Sequence, residues 1–216
     1  MRINPSILSA DFGNLEQALK DIATADAAHI DVMDNHFVPN LTIGMPVVKR
    51  LQQISPIPLD VHLMIENPDT EALRFAEFKV ASITFHLEAA KDPLALIKKL
   101  RHAGVSPAVS VKPATEIEST FELLDHIDMV LIMTVEPGFG GQQMIEATLP
   151  KISKLRSEIA ARKLSVSVQV DGGVTRENIG RLAALGADTF VAGSAVFDSG
   201  RPVDNIAALK AAAQTH

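Results

Sequence analysis

The chain has 216 residues, 47% of them hydrophobic and 21% charged, with a formal net charge of −6 and no cysteine. That size and mix fit one globular domain spanning residues 1–216. The acidic balance argues against a nucleic-acid surface, the missing cysteines exclude disulfides and thiolate chemistry, and no run approaches the ~20 apolar residues that span a membrane.

The segment Met1–Asp11 carries one basic residue and soon reaches an acid, unlike a signal peptide. A cytoplasmic, reducing setting is therefore expected. Short β-branched runs then alternate with longer amphipathic stretches. In chain order, strand Arg2–Leu8 precedes helix Leu15–Thr24, Ala28–Met33 precedes Val47–Gln53, Leu59–Met64 precedes Thr70–Phe78, and Ser82–His86 precedes Pro93–His102. Ser106–Val111 precedes Glu116–Leu124, Met129–Thr134 precedes Ala147–Ala161, Ser167–Val170 precedes Arg176–Leu185, and Thr189–Ala192 precedes Asp204–Ala213. In the fourth helix, Leu96, Ile97, Leu100 and Ala103 form one apolar stripe. Asp92 is placed to cap it, Pro93 fits its first position and Gly104 its end.

Strict βα alternation predicts a parallel sheet. Eight units predict a single-domain (β/α)8 TIM barrel with a parallel eight-stranded core. The rival is an open doubly wound sheet, but Ser9-Ala10-Asp11-Phe12-Gly13 lacks the dinucleotide glycine fingerprint, and no Walker A pattern occurs.

In a barrel, chemistry sits at the C-terminal strand ends. The second strand carries His29, Asp31 and Met33 at period two, on one face. The third carries Asp60, His62 and Met64 in the same way. The seventh ends at Asp171. Buried imidazoles and carboxylates are costly unless paired or coordinated. The set His29, Asp31, His62 and Asp171 suits one divalent cation such as Zn, Fe, Mn or Co. A buried hydrogen-bond network without metal would satisfy the same residues, and spacing leaves both readings open. His86, Asp60 and Asp34 read as supports or loop anchors, and Lys112 as a solvated strand end.

Glycine turns follow three successive strands: Gly138-Phe139-Gly140-Gly141, then Gly172-Gly173, then Gly193-Ser194. Such turns let backbone amides approach an anion, and the last two loops of a barrel often hold phosphate. Met33, Met64 and Met133 lie near strand ends. They read either as core filling or as a water-poor cap over a reacting centre.

These residues resemble the ribulose-phosphate 3-epimerase family along the whole chain, from Pro5-Ser6-Ile7-Leu8-Ser9-Ala10-Asp11 to Val191-Ala192-Gly193-Ser194-Ala195. The most specific blocks are His29-Ile30-Asp31-Val32-Met33-Asp34, Asp60-Val61-His62-Leu63-Met64, Met133 to Gln142 and Val170-Asp171-Gly172-Gly173-Val174. The resemblance implies reversible epimerisation at C3 of D-ribulose 5-phosphate to D-xylulose 5-phosphate through an enediolate, in the pentose phosphate pathway. It implies one divalent metal on His29, Asp31, His62 and Asp171, with Asp31 and Asp171 as the acid–base pair. Ser6, His62, Gly138, Phe139, Gly140, Gly141, Asp171, Gly172, Gly173, Gly193 and Ser194 would hold substrate. Met33, Met64 and Met133 would line the reacting centre. The implied partner is a ketopentose phosphate, with no nucleic acid, no membrane and a homo-oligomeric assembly. Two departures stand out: Asn35 where many members have glycine, and Ala28 where many have a bulky residue. Neither touches an implied ligand. Rivals are an epimerase for another ketose phosphate such as allulose 6-phosphate, and a catalytically silent phosphosugar binder. A decarboxylase is disfavoured, because His62 stands where that group carries lysine.

Overall fold

A computed structural model describes residues 1–198 and 200–214. Eight parallel strands form one sheet: β1 (Arg2–Pro5), β2 (Ala28–Met33), β3 (Leu59–Met64), β4 (Ser82–His86), β5 (Ser106–Val111), β6 (Met129–Met133), β7 (Ser167–Asp171) and β8 (Thr189–Ala192). From β2 to β8 each strand pairs with the next, and β8 pairs with β1. The ring closes between β1 and β2 through one bridge, Ser6 to His29. The predicted (β/α)8 barrel is therefore the observed fold.

Around the sheet lie α1 (Leu15–Asp21), α2 (Met45–Ile54), α3 (Pro68–Ala76), α4 (Pro93–His102), α5 (Pro150–Ala161), α6 (Ile179–Ala184), α7 (Ser194–Phe197) and α8 (Pro202–Ala212). Asp92 caps α4 by accepting from the Ala95 amide, as the sequence predicts. Proline also opens α3, α5 and α8, where its fixed φ suits a first turn. That moves the starts of α3 and α8 two residues earlier than periodicity places them, and the start of α5 three residues later.

Three local expectations are corrected. The first strand ends at Pro5 rather than Leu8, because the Ser6 hydroxyl accepts from the Leu8 amide and starts a 3-10 turn at Ile7–Ser9. The fifth connection is a 3-10 helix over Ile117–His126 rather than an α-helix. There Ser119 and Thr120 hydroxyls donate to the carbonyls of Glu116 and Ile117, three residues back, which suits the tighter turn. The helix expected from Arg176 begins at Ile179, because Asn178 instead ties the preceding loop to Thr175 and Gly173.

Residues in register on neighbouring strands share a face. Outward positions such as Ile30, Val61, Phe85, Val109, Ile132, Val168 and Phe190 are buried against the helices in the main apolar core. Inward positions are mostly polar, and they converge on the C-terminal mouth.

Candidate active site

The β2–β3 register is reciprocal. His29 lies opposite Asp60, Asp31 opposite His62, and Met33 opposite Met64. Asp171, at the end of β7, lies opposite Met133 on β6. One ligand atom from each of His29, Asp31, His62 and Asp171 falls within 4.8 Å of the others. His29 Nε2 is 3.5 Å from Asp31 Oδ1 and 3.7 Å from Asp171 Oδ2. His62 Nδ1 is 3.4 and 3.6 Å from the same two oxygens. These separations exceed good hydrogen bonds. Both nitrogens are buried without a hydrogen-bond partner. Four donors held tetrahedrally at ~2.1 Å from a common ion would stand about 3.4 Å apart. Two orphaned imidazole nitrogens and two carboxylate oxygens at that spacing fit a divalent cation.

The remaining polar side-chain atoms of His29, Asp31 and His62 are tied down. Asp60 Oδ2 accepts from Asn4 at 3.0 Å and Gln169 at 2.7 Å, and His29 Nδ1 donates to it at 2.9 Å. The Ser82 hydroxyl donates to Asp60 Oδ1. The Ser6 hydroxyl donates to Asp31 Oδ2 at 2.5 Å. His62 Nε2 meets His86 Nε2 at 2.9 Å, and His86 Nδ1 meets Glu88 Oε2 at 3.2 Å. Burial alone would raise the pKa of Asp31, but His29 and His62 beside it hold the carboxyl far below its usual range. Burial would likewise lower His29, but Asp31 and Asp60 raise it well above an ordinary imidazole. The two imidazoles thus favour an ionised Asp31. Burial outweighs the bond to Glu88 and holds His86 down to about 4.

Above the cluster opens a cavity of about 590 Å³. Asp31 and Asp171 reach its floor, while His29 and His62 lie beneath, fully buried. Met33, Met64 and Met133 line it. They belong to two small apolar clusters separate from the main core, so they line the mouth rather than fill the sheet–helix interface. Ser6, Gly138, Phe139, Gly140 and Gly141 lie along its wall, with Gly172, Gly173, Gly193 and Ser194. At Gly173, φ is +64° and an added Cβ would stand 2.6 Å from the Met144 amide nitrogen. At Gly172, φ is +120° and a Cβ would meet Val135 at 2.5 Å. Only glycine fits this turn after β7. Of the residues anticipated to hold substrate, His62 alone does not line the cavity.

The supporting residues fall largely where the sequence places them. Asp34 anchors its loop by accepting from the His36, Phe37 and Glu66 amides. Asn35 adopts φ +60°, which asparagine tolerates. Lys112 is a correction: it is half-buried rather than solvated, with its ammonium 3.7 Å over the Phe37 ring. Sequence reasoning passed over Asn4, Ser82, Gln169 and Glu88. The first three stand at inward positions two or four residues before Ser6, His86 and Asp171. The same period-two rule that found the histidines could have found them.

A family model described as the ribulose-phosphate 3 epimerase family matches residues 2–197. The ribulose-phosphate 3-epimerase of Mycobacterium tuberculosis is 46% identical over 208 residues, covering 96% of this chain and 91% of that protein. The Helicobacter pylori enzyme of the same name is 41% identical over 199 residues, covering 92% of each chain. Among solved structures, KGPDC from Streptococcus mutans in complex with D-R5P superposes with a TM-score of 0.76 at 15% identity, over 99% of this chain and 97% of that one. That likeness speaks for the fold alone.

Proposed function

The chain belongs to the ribulose-phosphate 3-epimerase family and is an epimerase, and on that premise we propose that it interconverts D-ribulose 5-phosphate and D-xylulose 5-phosphate through an enediolate. The observation that carries this reading is the convergence of two carboxylates and two unpartnered imidazole nitrogens beneath one cavity.

In this reading His29, Asp31, His62 and Asp171 hold one divalent cation, of the class Zn, Fe, Mn or Co. When bound, that ion supplies Lewis-acid stabilisation of the negative charge that develops beside C3. Asp31 and Asp171 enter from β2 and β7, with β1 and β8 between them. One carboxylate removes the C3 proton and the other delivers a proton to the opposite face. The roles exchange in the reverse direction. The Ser6 hydroxyl occupies Asp31 Oδ2 and fixes which oxygen faces the floor. Met33, Met64 and Met133 keep water from the reacting carbon, which strengthens the electrostatics there. Gly172, Gly173, Gly193 and Ser194 bring backbone amides toward the phosphate, and Gly138 to Gly141 with Phe139 cover the sugar. A cavity of about 590 Å³ suits a small ligand. The absence of cysteine suits a reducing compartment, and a cytoplasmic setting is part of the proposal. So is a homo-oligomer, though the expectation of self-association rests on the family alone.

The test is proton NMR of ribulose 5-phosphate with the protein in heavy water, with and without a chelator. Deuterium entering C3 as xylulose 5-phosphate forms, and both stopping on metal removal, are the expected results. Turnover that survives verified metal removal would overturn the cation's role. A folded, metal-loaded sample that exchanges nothing would overturn the substrate assignment and direct attention to other ketose phosphates.

A further inference from the structure

The two histidines of the cluster face it through different nitrogens. His29 presents Nε2 and His62 presents Nδ1. A neutral imidazole carries one N–H, so each ring needs its proton on the far side if the facing nitrogen is to offer a lone pair. For His29 the arrangement is direct, because Nδ1 donates to the Asp60 carboxylate. His62 has no carboxylate behind it. Its Nε2 meets only another imidazole nitrogen, His86 Nε2, at 2.9 Å. Two imidazole nitrogens at that distance share one proton, and either could own it.

Glu88 breaks the tie. Its Oε1 accepts from the Lys112 amide at 2.7 Å and the Thr115 hydroxyl at 2.5 Å, which fixes the carboxylate in place. Its Oε2 then faces His86 Nδ1 at 3.2 Å. An ionised carboxylate only accepts, so His86 must carry its proton on Nδ1. His86 Nε2 is then bare and accepts. His62 must donate from Nε2, and its Nδ1 is left with a lone pair aimed at Asp31 and Asp171. Both His62 and His86 are fully buried, so solvent supplies no competing partner.

We infer that Glu88, acting through His86, is a positioning residue that sets the His62 tautomer and so prepares Nδ1 as a ligand. The inference rests on the proposed cation site for its consequence, but the tautomer itself exists without a cation wherever the His62 ring is neutral.

Glu88→Gln reverses the relay. The Lys112 amide needs an oxygen, so the glutamine nitrogen is left facing His86 Nδ1 and donates to it. His86 then carries its proton on Nε2, and His62 is driven to the Nδ1–H form, which cannot bind an ion. The experiment is long-range proton–nitrogen correlation of the histidine rings, on the metal-free chain at alkaline pH and on the zinc-loaded chain. Zinc affinity is measured alongside by chelator competition. In the unaltered chain His62 is expected with hydrogen on Nε2 and none on Nδ1. Glu88→Gln is expected to move that hydrogen and to weaken zinc binding by tenfold or more, as loss of an outer partner typically does. His62 found as Nδ1–H in the unaltered chain would overturn the relay, whether or not the variant folds. So would a folded Glu88→Gln chain with unchanged tautomer and zinc affinity. An unaltered chain that shows the Nε2–H tautomer yet takes up no zinc would sink the cation site and leave the relay standing.

Discussion

The two faces of the sheet are equally buried and chemically opposite. Toward the helices, Val61, Ile83, Phe85, Val109, Val130 and Val168 are inaccessible to water and apolar. Toward the lumen, His29, Asp60, His62, Thr84, His86, Ser110 and Gln169 are just as inaccessible and polar. Barrel interiors are more often filled with branched apolar side chains. The outer layer needs only removal from water, so any well-packed hydrophobe of the right volume serves it. The lumen needs a partner for each polar atom, because an unpaired buried group costs about 1–3 kcal/mol. Among the described residues, the six buried side-chain polar atoms without a partner belong to Asn4, His29, His62, Thr84, Ser110 and Gln169, all in the lumen. A face whose polar atoms each need a specific partner is organised for chemistry, and the outer layer is what stabilises it.

Breaking each face separately should separate the two properties. Asp31→Asn and Asp171→Asn keep shape and volume but remove a proton carrier. Each is expected to lower turnover by at least ~10²–10⁴-fold, the usual contribution of general acid–base catalysis, with the circular dichroism of the barrel retained. Near-normal turnover in either variant would remove that aspartate from the reaction. Phe85→Ala acts on the other face. Phe85 lies on β4 with no accessible surface, packed in the main core. Its truncation is expected to cost about 3–5 kcal/mol in urea unfolding, while activity per folded molecule stays close to that of the unaltered chain. A large loss of specific activity there would mean that the outer layer also tunes the lumen.

The same contrast explains what could be read from the sequence. The outer layer announces itself through β-branched runs alternating with amphipathic stretches, so the eight βα units and the barrel follow from pattern alone. The His29, Asp31, Met33 and Asp60, His62, Met64 triplets show at period two because each lies within one strand. Their meeting requires only that β2 and β3 be neighbours. Asp171 joins through the curvature of the closed sheet, which no local pattern encodes. The relay behind His62 was hidden for a related reason. Glu88 lies past the end of β4, and its partners are a backbone amide at Lys112 and a hydroxyl at Thr115, fixed by the pairing of β4 with β5. Backbone amides carry no sequence signature. Lys112 was misplaced likewise, since the Phe37 ring beneath its ammonium comes from the loop after β2. Where a single side chain chose between conformations, as Ser6 does in ending β1, periodicity could not foresee the outcome.

The smallest effect expected lies at the border between the two regions, and its sign can be worked out. Burial works to raise the pKa of Glu88, but the hydrogen bonds from His86, Thr115 and the Lys112 amide outweigh it and pull the carboxyl down to about 2. A glutamate in the unfolded chain titrates near 4.5. Between those values the unfolded state binds the extra proton, so unfolding becomes easier as pH falls. The contribution of Glu88 is complete above about pH 4.5 and disappears as pH drops toward about 2. Because its side chain keeps 22% exposure, solvent screening reduces the effect to on the order of 1–2 kcal/mol. Urea midpoints of the unaltered chain and Glu88→Gln, both with chelator present, should therefore differ at pH 7 and converge as pH is lowered toward 3. A difference that stays constant over that range would mean that the glutamate contributes through shape and not through charge. The relay would then lose the fixed acceptor on which the orientation of His86 depends.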